Sequence, residues 1–180
     1  INNWEATYFD FNEKIIKDIA REASNLGIEL FVLDDGWFGE RNDDTSSLGD
    51  WYVNEEKIKG GLNKLATEIN DMGIKFGLWF EPEMVSPNSK LYKEHPDWCI
   101  HIEGRTRSQA RKQLILDFSR DEVCDEVIKR VSDILSSAPI SYVKWDMNRN
   151  MTEVGSPAWP AERQKEVAHR YMLGLYRVLE

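Results

Sequence analysis

Gly27-Ile28-Glu29-Leu30-Phe31-Val32-Leu33-Asp34-Asp35-Gly36 is the stretch on which the fold turns. From Ile28 to Leu33 every residue but Glu29 is apolar, the pattern of a strand covered on both faces in a parallel sheet. The run stops at two carboxylates and a glycine. The same layout recurs twice: Lys75-Phe76-Gly77-Leu78-Trp79-Phe80 ends at Glu81-Pro82-Glu83, and Ile140 to Trp145 ends at Asp146. Gln113 to Asp117 is a shorter strand candidate, and Trp4-Glu5-Ala6-Thr7-Tyr8-Phe9 reads as a strand near the start of the chain.

Helical patterns lie between these runs. Asn12 can cap a helix whose Ile15, Ile16, Ile19, Ala20 and Ala23 share a 3.6-residue period and which closes at Asn25-Leu26-Gly27. A second helix runs from about Leu62 to Met72 and closes at Gly73. Ser119-Arg120-Asp121-Glu122 has the spacing of a capping box. It opens a third helix, with Val123, Val127, Ile128, Val131, Ile134 and Leu135 on one face and Pro139 beyond its end. Pro160 opens a last helix carrying Val167, Tyr171, Leu175 and Val178. The segment from Trp37 to Gly61 is too long for a plain connection, and its Trp37, Trp51 and Tyr52 argue against disorder.

Strands alternating with helices predict an α/β fold with a parallel sheet. Chemistry-bearing residues sit at the C-terminal ends of successive runs: Asp34 and Asp35, then Trp79 and Glu81, then Asp117, then Asp146. A (β/α)₈ barrel distributes an active site in this way. A doubly wound sheet gathers ligands at one switch point instead, and no Gly-x-Gly-x-x-Gly turn is present. A whole barrel takes about 250 residues. The 180 residues therefore hold an incomplete barrel of about four or five βα units. Ile1 in place of Met, and a helical pattern still running at Tyr176-Arg177-Val178-Leu179-Glu180, agree with an internal piece of a longer chain.

Composition narrows the partners. Lys and Arg number 23 against 32 Asp and Glu, a net charge of −9, so no basic surplus exists to neutralise a nucleic acid. No apolar run reaches the roughly 18 residues of a membrane span, and the start does not read as a signal peptide. Two cysteines, Cys99 and Cys124, fit a reducing compartment, so the expected location is cytoplasmic. His95, His101 and His169 share no ligand spacing, and Asn42-Asp43-Asp44-Thr45 lacks the glycine and glutamate of a calcium loop. No serine lies in a nucleophile elbow. No metal and no other cofactor is expected.

Carboxylates and 7 tryptophans remain. Indole rings pack on the apolar face of a sugar while charged groups take its hydroxyls. A retaining glycosidase uses two carboxyl groups about 5–5.5 Å apart. From the residues alone, Asp146 or Asp35 is the candidate nucleophile and Glu81 or Glu83 the candidate proton donor. The plain alternative for any one strand-end Asp is a turn cap. Lys144 lies two residues before Asp146 and faces the same side, so it must pair with an acid or a ligand. Arg111 falls in the basic stretch Arg105 to Lys112, where a solvated loop is the default.

Leu33-Asp34-Asp35-Gly36-Trp37-Phe38-Gly39 and Val143-Lys144-Trp145-Asp146-Met147-Asn148-Arg149 closely resemble bacterial α-galactosidases, the melibiases of glycoside hydrolase family thirty-six. Leu48-Gly49-Asp50-Trp51, the run Phe76 to Pro87, His95-Pro96-Asp97-Trp98 and the tail His169 to Tyr176 resemble the same family, so the likeness covers the whole chain. It implies a partial (β/α)₈ catalytic domain over residues 1–180 and hydrolysis, with retention, of terminal α-galactosyl groups from oligosaccharides such as melibiose and raffinose. By the same resemblance Asp146 is the nucleophile, Asp34 and Asp35 hold the galactose 4- and 6-hydroxyls, and Trp79, Arg111, Lys144 and Asn148 also bind the sugar. The family's acid/base, an Asp in a Ser-Asp-Asn-Thr-Asp-like motif downstream of the nucleophile, has no counterpart between Asp146 and Glu180. This lowers Glu81 and Glu83 to residues that shape the pocket. The implied parent is a homo-oligomer, up to a tetramer. Two other readings share the residues: a galactosyl transferase of the same family, and a galactose-binding fragment without catalysis.

Overall fold

The computed structural model describes all 180 residues, Ile1–Glu180. They form two compact units. The first comprises Ile1–Asp44, Trp51–Phe80 and Ser132–Asp146, and the second Thr45–Asp50, Glu81–Val131 and Met147–Glu180.

The first unit is a parallel sheet with helices. Its strands are β1 (Leu30–Leu33), β2 (Lys75–Phe80) and, numbered in chain order, β5 (Tyr142–Trp145), arranged in the order β1-β2-β5. Both pairings are parallel, with Leu33 beside Leu78 and Trp79 beside Lys144. These are the three long apolar runs of the sequence. Every residue of β2 after Lys75 is buried, as expected of a strand covered on both faces. Helices α1 (Trp4–Thr7), α2 (Glu13–Asn25) and α3 (Gly61–Asn70) belong to the same unit. The Asn12 carboxamide accepts from the amides of Lys14 and Ile15, so α2 begins where its cap predicts. Ile16, Ala20 and Ala23 of α2 and Leu62, Leu65, Ala66 and Ile69 of α3 are buried with Phe31, Leu33, Phe76, Leu78 and Phe80 of the strands.

The expected strand Trp4–Phe9 does not form. Strand pairing at this end is shorter and earlier: Asn2 bridges Val32 in parallel, and the Val32 amide donates to the Ile1 carbonyl at 2.8 Å. Local bonds then divert the chain into α1. The Asn2 side chain accepts from the Trp4 amide, and the Asn3 carbonyl accepts from the Ala6 and Thr7 amides. Short polar side chains offer the backbone a turn in place of a ladder, and here they outweigh the β preference of the aromatics.

The second unit holds β3 (Met84–Val85), α4 (Lys90–Glu94), β4 (Leu114–Ile115), most of α5 (Asp121–Ser136), a 3₁₀ segment over Ala161–Glu166 and α6 (Val167–Leu179). The run Gln113 to Asp117 contains β4, but β4 pairs antiparallel with β3 and takes no part in the parallel sheet. Asp117 is accordingly not at the end of a parallel strand. The cause is the chain around Glu81-Pro82-Glu83, where the Leu116 amide donates to the Glu83 carbonyl at 2.9 Å. The third helix starts at Asp121 rather than directly after Ser119, because the Ser119 hydroxyl is engaged with the Asp117 carboxylate and the Trp159 indole N–H. Pro160 precedes the 3₁₀ segment, so α6 proper starts only at Val167. No helix is long and apolar enough to cross a membrane.

Gly174, inside α6, lies against the Phe118 backbone: a Cβ at this position would come to 1.9 Å from the Phe118 carbonyl oxygen. Backbone cannot retreat as a flexible side chain can. Gly174→Ala is expected to cost about 3 kcal/mol, read as a lower urea midpoint. An unchanged midpoint would mean that α6 does not pack this closely.

Candidate active site

The register of the sheet assembles the site. Paired residues on parallel strands face the same way, so Trp79 and its partner Lys144 share a face, and Asp146 returns to that face two residues on. Asp34 follows β1 directly. The side chains meet as the register requires: Lys144 Nζ donates to Asp34 Oδ2 at 2.8 Å, and Trp79 Nε1 donates to Asp146 Oδ2 at 3.1 Å. The Asp146 amide closes the end of the ladder on the Phe80 carbonyl at 2.8 Å. Four residues singled out from the sequence are thereby joined in two bonded pairs.

Asp35 is joined to a residue that sequence reasoning missed. Arg41 Nε donates to Asp35 Oδ1 at 2.9 Å, and Nη2 donates to Oδ2 at 2.7 Å. Both side chains are buried. Such a fork fixes geometry as well as charge, and removing one partner of a buried pair costs about 3–5 kcal/mol. Burial pushes the Asp35 carboxyl above the usual carboxylate range, and the Arg41 guanidinium opposes that push. Lys57 is also half-buried. Its ammonium donates to the carbonyls of Phe9, Gly36 and Arg41, each at 3.0 Å, and burial lowers its pKa.

Two further residues hold the frame. The Asn3 carboxamide accepts from the Asp34 amide at 2.9 Å, and Asp34 Oδ1 accepts from the Asp35 amide at 2.9 Å. The Trp37 indole N–H donates to the Trp79 carbonyl at 2.8 Å. Trp37 also packs with Phe38, Trp51 and Phe80, and the Trp79 ring lies parallel to Phe38, its centroid 6.1 Å away. Trp79 is 1% exposed. In this structure it presents its N–H to Asp146 more than an open ring face. Of these partners only Arg41 carried a signal in the sequence, as a lone cation within the acidic stretch Glu40 to Asp44.

Exposure separates the acids. Asp34, Asp35, Glu81, Glu83 and Asp117 are all buried, whereas Asp146 retains solvent-facing surface.

Arg111, Asn148, Glu81 and Glu83 belong to the second unit. Glu81 Oε1 accepts from the Asn148 amide at 2.5 Å, and Asn148 itself is exposed. Glu83 accepts a hydrogen bond from the buried Tyr171 hydroxyl, whose pKa burial and the Glu83 charge both raise. These bonds suit glutamates that brace backbone and side chains. Arg111 is exposed at the tip of a hairpin turn, where the Gln113 amide donates to the Ala110 carbonyl at 2.9 Å. Arg149, also missed from the sequence, is buried beside that hairpin and donates to the Ser108 and Gln113 carbonyls at 2.9 and 2.6 Å. Burial raises the Cys99 thiol to about 12 and the Cys124 thiol to about 11, so both are protonated and unreactive at neutral pH.

Fold and site define a parallel α/β protein with an acid-rich, tryptophan-backed cluster at the C-terminal ends of its strands. The sequence model of the Melibiase family matches residues 1–180, and the chain belongs to that family. It is 67% identical over 180 residues to α-galactosidase AgaA of Geobacillus stearothermophilus and 53% identical over 180 residues to α-galactosidase 1 of Pediococcus pentosaceus. In both cases all of this chain is covered, and the chain spans about a quarter of the relative's length (25%). The crystal structure of AgaA superposes on 98% of the chain with a TM-score of 0.96. A variant of that enzyme has been crystallised with raffinose and superposes with a TM-score of 0.95.

The turn that carries Arg111 is under strain. Arg111 and Lys112 both have φ of +52°, the left-handed region that a two-residue hairpin turn demands and that glycine fills without penalty. A non-glycine residue there costs about 1–2 kcal/mol, part of which glycine returns as chain entropy. Lys112→Gly is therefore expected to stabilise the protein by about 0.5–1 kcal/mol in urea denaturation. A destabilised variant would show that the Lys112 side chain holds the turn.

Proposed function

We propose that the chain is part of the (β/α)₈ catalytic domain of a longer retaining α-galactosidase, which hydrolyses terminal α-galactosyl groups of oligosaccharides such as melibiose and raffinose. Membership of the Melibiase family supports this reading. So do relatives named α-galactosidases and complexes of AgaA variants with raffinose and stachyose. The order of the parallel strands follows chain order, with no reversal that would make a switch point, and this favours a barrel over a doubly wound sheet. One observation carries the chemistry: Asp146 is the strand-end acid with solvent-facing surface, and an indole N–H is bonded to one of its oxygens.

The residues divide the reaction as follows. Asp34 and Asp35 receive galactose hydroxyls on the lone pairs that Lys144, Arg41 and neighbouring amides leave available. A site built to accept an axial 4-hydroxyl rejects a sugar that leaves the acceptor unpaired. Lys144 balances the charge of Asp34. Arg111 and Asn148 supply further sugar contacts, as their match to the family motifs implies. Asp146 attacks the anomeric carbon through an oxocarbenium-like transition state and forms a galactosyl-enzyme ester. The Trp79 N–H donates to Asp146 Oδ2 and so helps set the direction in which the carboxylate faces the sugar. A carboxylic acid outside these 180 residues protonates the leaving oxygen and then deprotonates the water that frees galactose.

Asp146→Asn in the whole enzyme is expected to lower turnover by about 10³-fold or more, with galactose still bound, because the amide keeps the shape of the carboxylate and cannot act as nucleophile. Calorimetry with galactose beside a turnover assay checks this. Lost binding with normal turnover of bound substrate would reverse the roles. The 180-residue chain expressed alone is expected to sustain no turnover of melibiose, since general-acid help is worth about 10²–10⁴-fold. Steady turnover by the chain alone, removed by Asp146→Asn, would return Glu81 and Glu83 as proton donors.

A further inference from the structure

Asp35 could be held by any well-placed donor, yet the structure commits a buried guanidinium and a half-buried ammonium to its surroundings. Arg41 has no exposed surface. Its fork occupies one lone pair on each Asp35 oxygen and so fixes both torsions of the acid. The guanidinium is flanked by the Phe9 and Phe38 rings, 5.7 and 5.9 Å from their centroids. Its own backbone is tied down as well: the Lys57 ammonium that takes the Arg41 carbonyl also takes those of Gly36, next to Asp35, and Phe9, which flanks the fork.

Charge neutrality alone does not account for this. Asp34, the neighbouring acid, has its own cation in Lys144. A buried ion pair kept only for stability can often be replaced by apolar side chains at no loss. What a forked pair provides, and an apolar pair cannot, is a carboxylate held ionised in one orientation with acceptor capacity left for a third partner.

We propose that Arg41 is a positioning residue: it acts through Asp35, aiming that carboxylate at a galactose hydroxyl, and Lys57 locks the loop that carries the fork. The proposal rests on the reading above that Asp35 receives a hydroxyl of the sugar. It concerns affinity and hydroxyl selectivity rather than bond cleavage, because Arg41 bonds to Asp35 and Asp146 carries the chemistry.

The test uses the whole enzyme with an aryl α-galactoside and its 4-deoxy and 6-deoxy analogues. Arg41→Lys keeps the charge and removes the fork. It is expected to raise KM for the galactoside about tenfold or more with a smaller effect on kcat. On the deoxy analogue that lacks the hydroxyl received by Asp35, the KM penalty disappears. Lys57→Met is expected to give the same hydroxyl-dependent pattern more weakly, and it carries the test if Arg41→Lys does not fold. An equal penalty on all three substrates, a loss confined to kcat, or an unchanged KM in both variants would overturn the proposal. Wild-type enzyme that leaves the galactoside intact would instead overturn the proposed function.

Discussion

Two adjacent carboxylates buried at the end of one strand are the constraint on which the site depends. Asp34 and Asp35 are 2% and 4% exposed. Like charges so close cannot both stay ionised in a poorly solvated place unless each is matched. The fold meets this with one cation per acid, from different directions: Lys144 comes from a neighbouring part of the sheet, and Arg41 from the loop six residues on. The Lys144–Asp34 bond spans 110 residues of sequence. It therefore depends on β1, β2 and β5 lying in the observed order and register, in which β2 separates the two strands that are bridged.

The same register explains why Trp79 belongs to the site although it is buried. Trp79 lies on the middle strand, beside Lys144 and between the strand ends that carry Asp34 and Asp146. Its N–H serves Asp146, its backbone carbonyl serves the Trp37 indole, and its ring lies against Phe38. A side chain so fully engaged has few alternative rotamers. Rigid placement of a donor beside the proposed nucleophile avoids reorganisation as charge develops.

The parts of the fold that were legible in the sequence are those set by burial alone. Lys75–Phe80 is apolar because both its faces are covered, Ile28–Leu33 is buried from Phe31 onward, Ile140–Trp145 repeats the pattern although it is only partly buried, and each run contains a strand of the sheet. The Asn12 cap was legible for a similar reason, being local. What failed was decided by competing polar bonds. Asn2 and Asn3 turn the chain at Trp4, and the Ser119 hydroxyl bonds to Asp117 and Trp159 instead of setting the start of α5. The β3–β4 pairing was invisible because two residues per strand make no pattern. At the site, the acids announced themselves by position, whereas Lys57 and Asn3 did not and Arg41 showed only as a lone cation in an acidic stretch. Their function is a matter of which buried oxygen or amide each one reaches, and no residue spacing encodes that.

Accessibility sorts acids that sequence position alone leaves equivalent. Every acid the chain places near the end of an apolar run is a formal candidate for nucleophile or proton donor. Burial with a bonded partner removes most of them. Glu83 is buried against Tyr171, Glu81 takes the Asn148 amide, Asp117 takes Ser119 and Ser156, and Asp35 takes the Arg41 fork. Attack requires a carboxylate oxygen that an incoming carbon can reach in line, and acids buried in this way offer no such approach. Asp146 combines solvent-facing surface with a donor that restrains one oxygen and a place on the face shared by Lys144 and Trp79. That environment supports the nucleophile role proposed for Asp146.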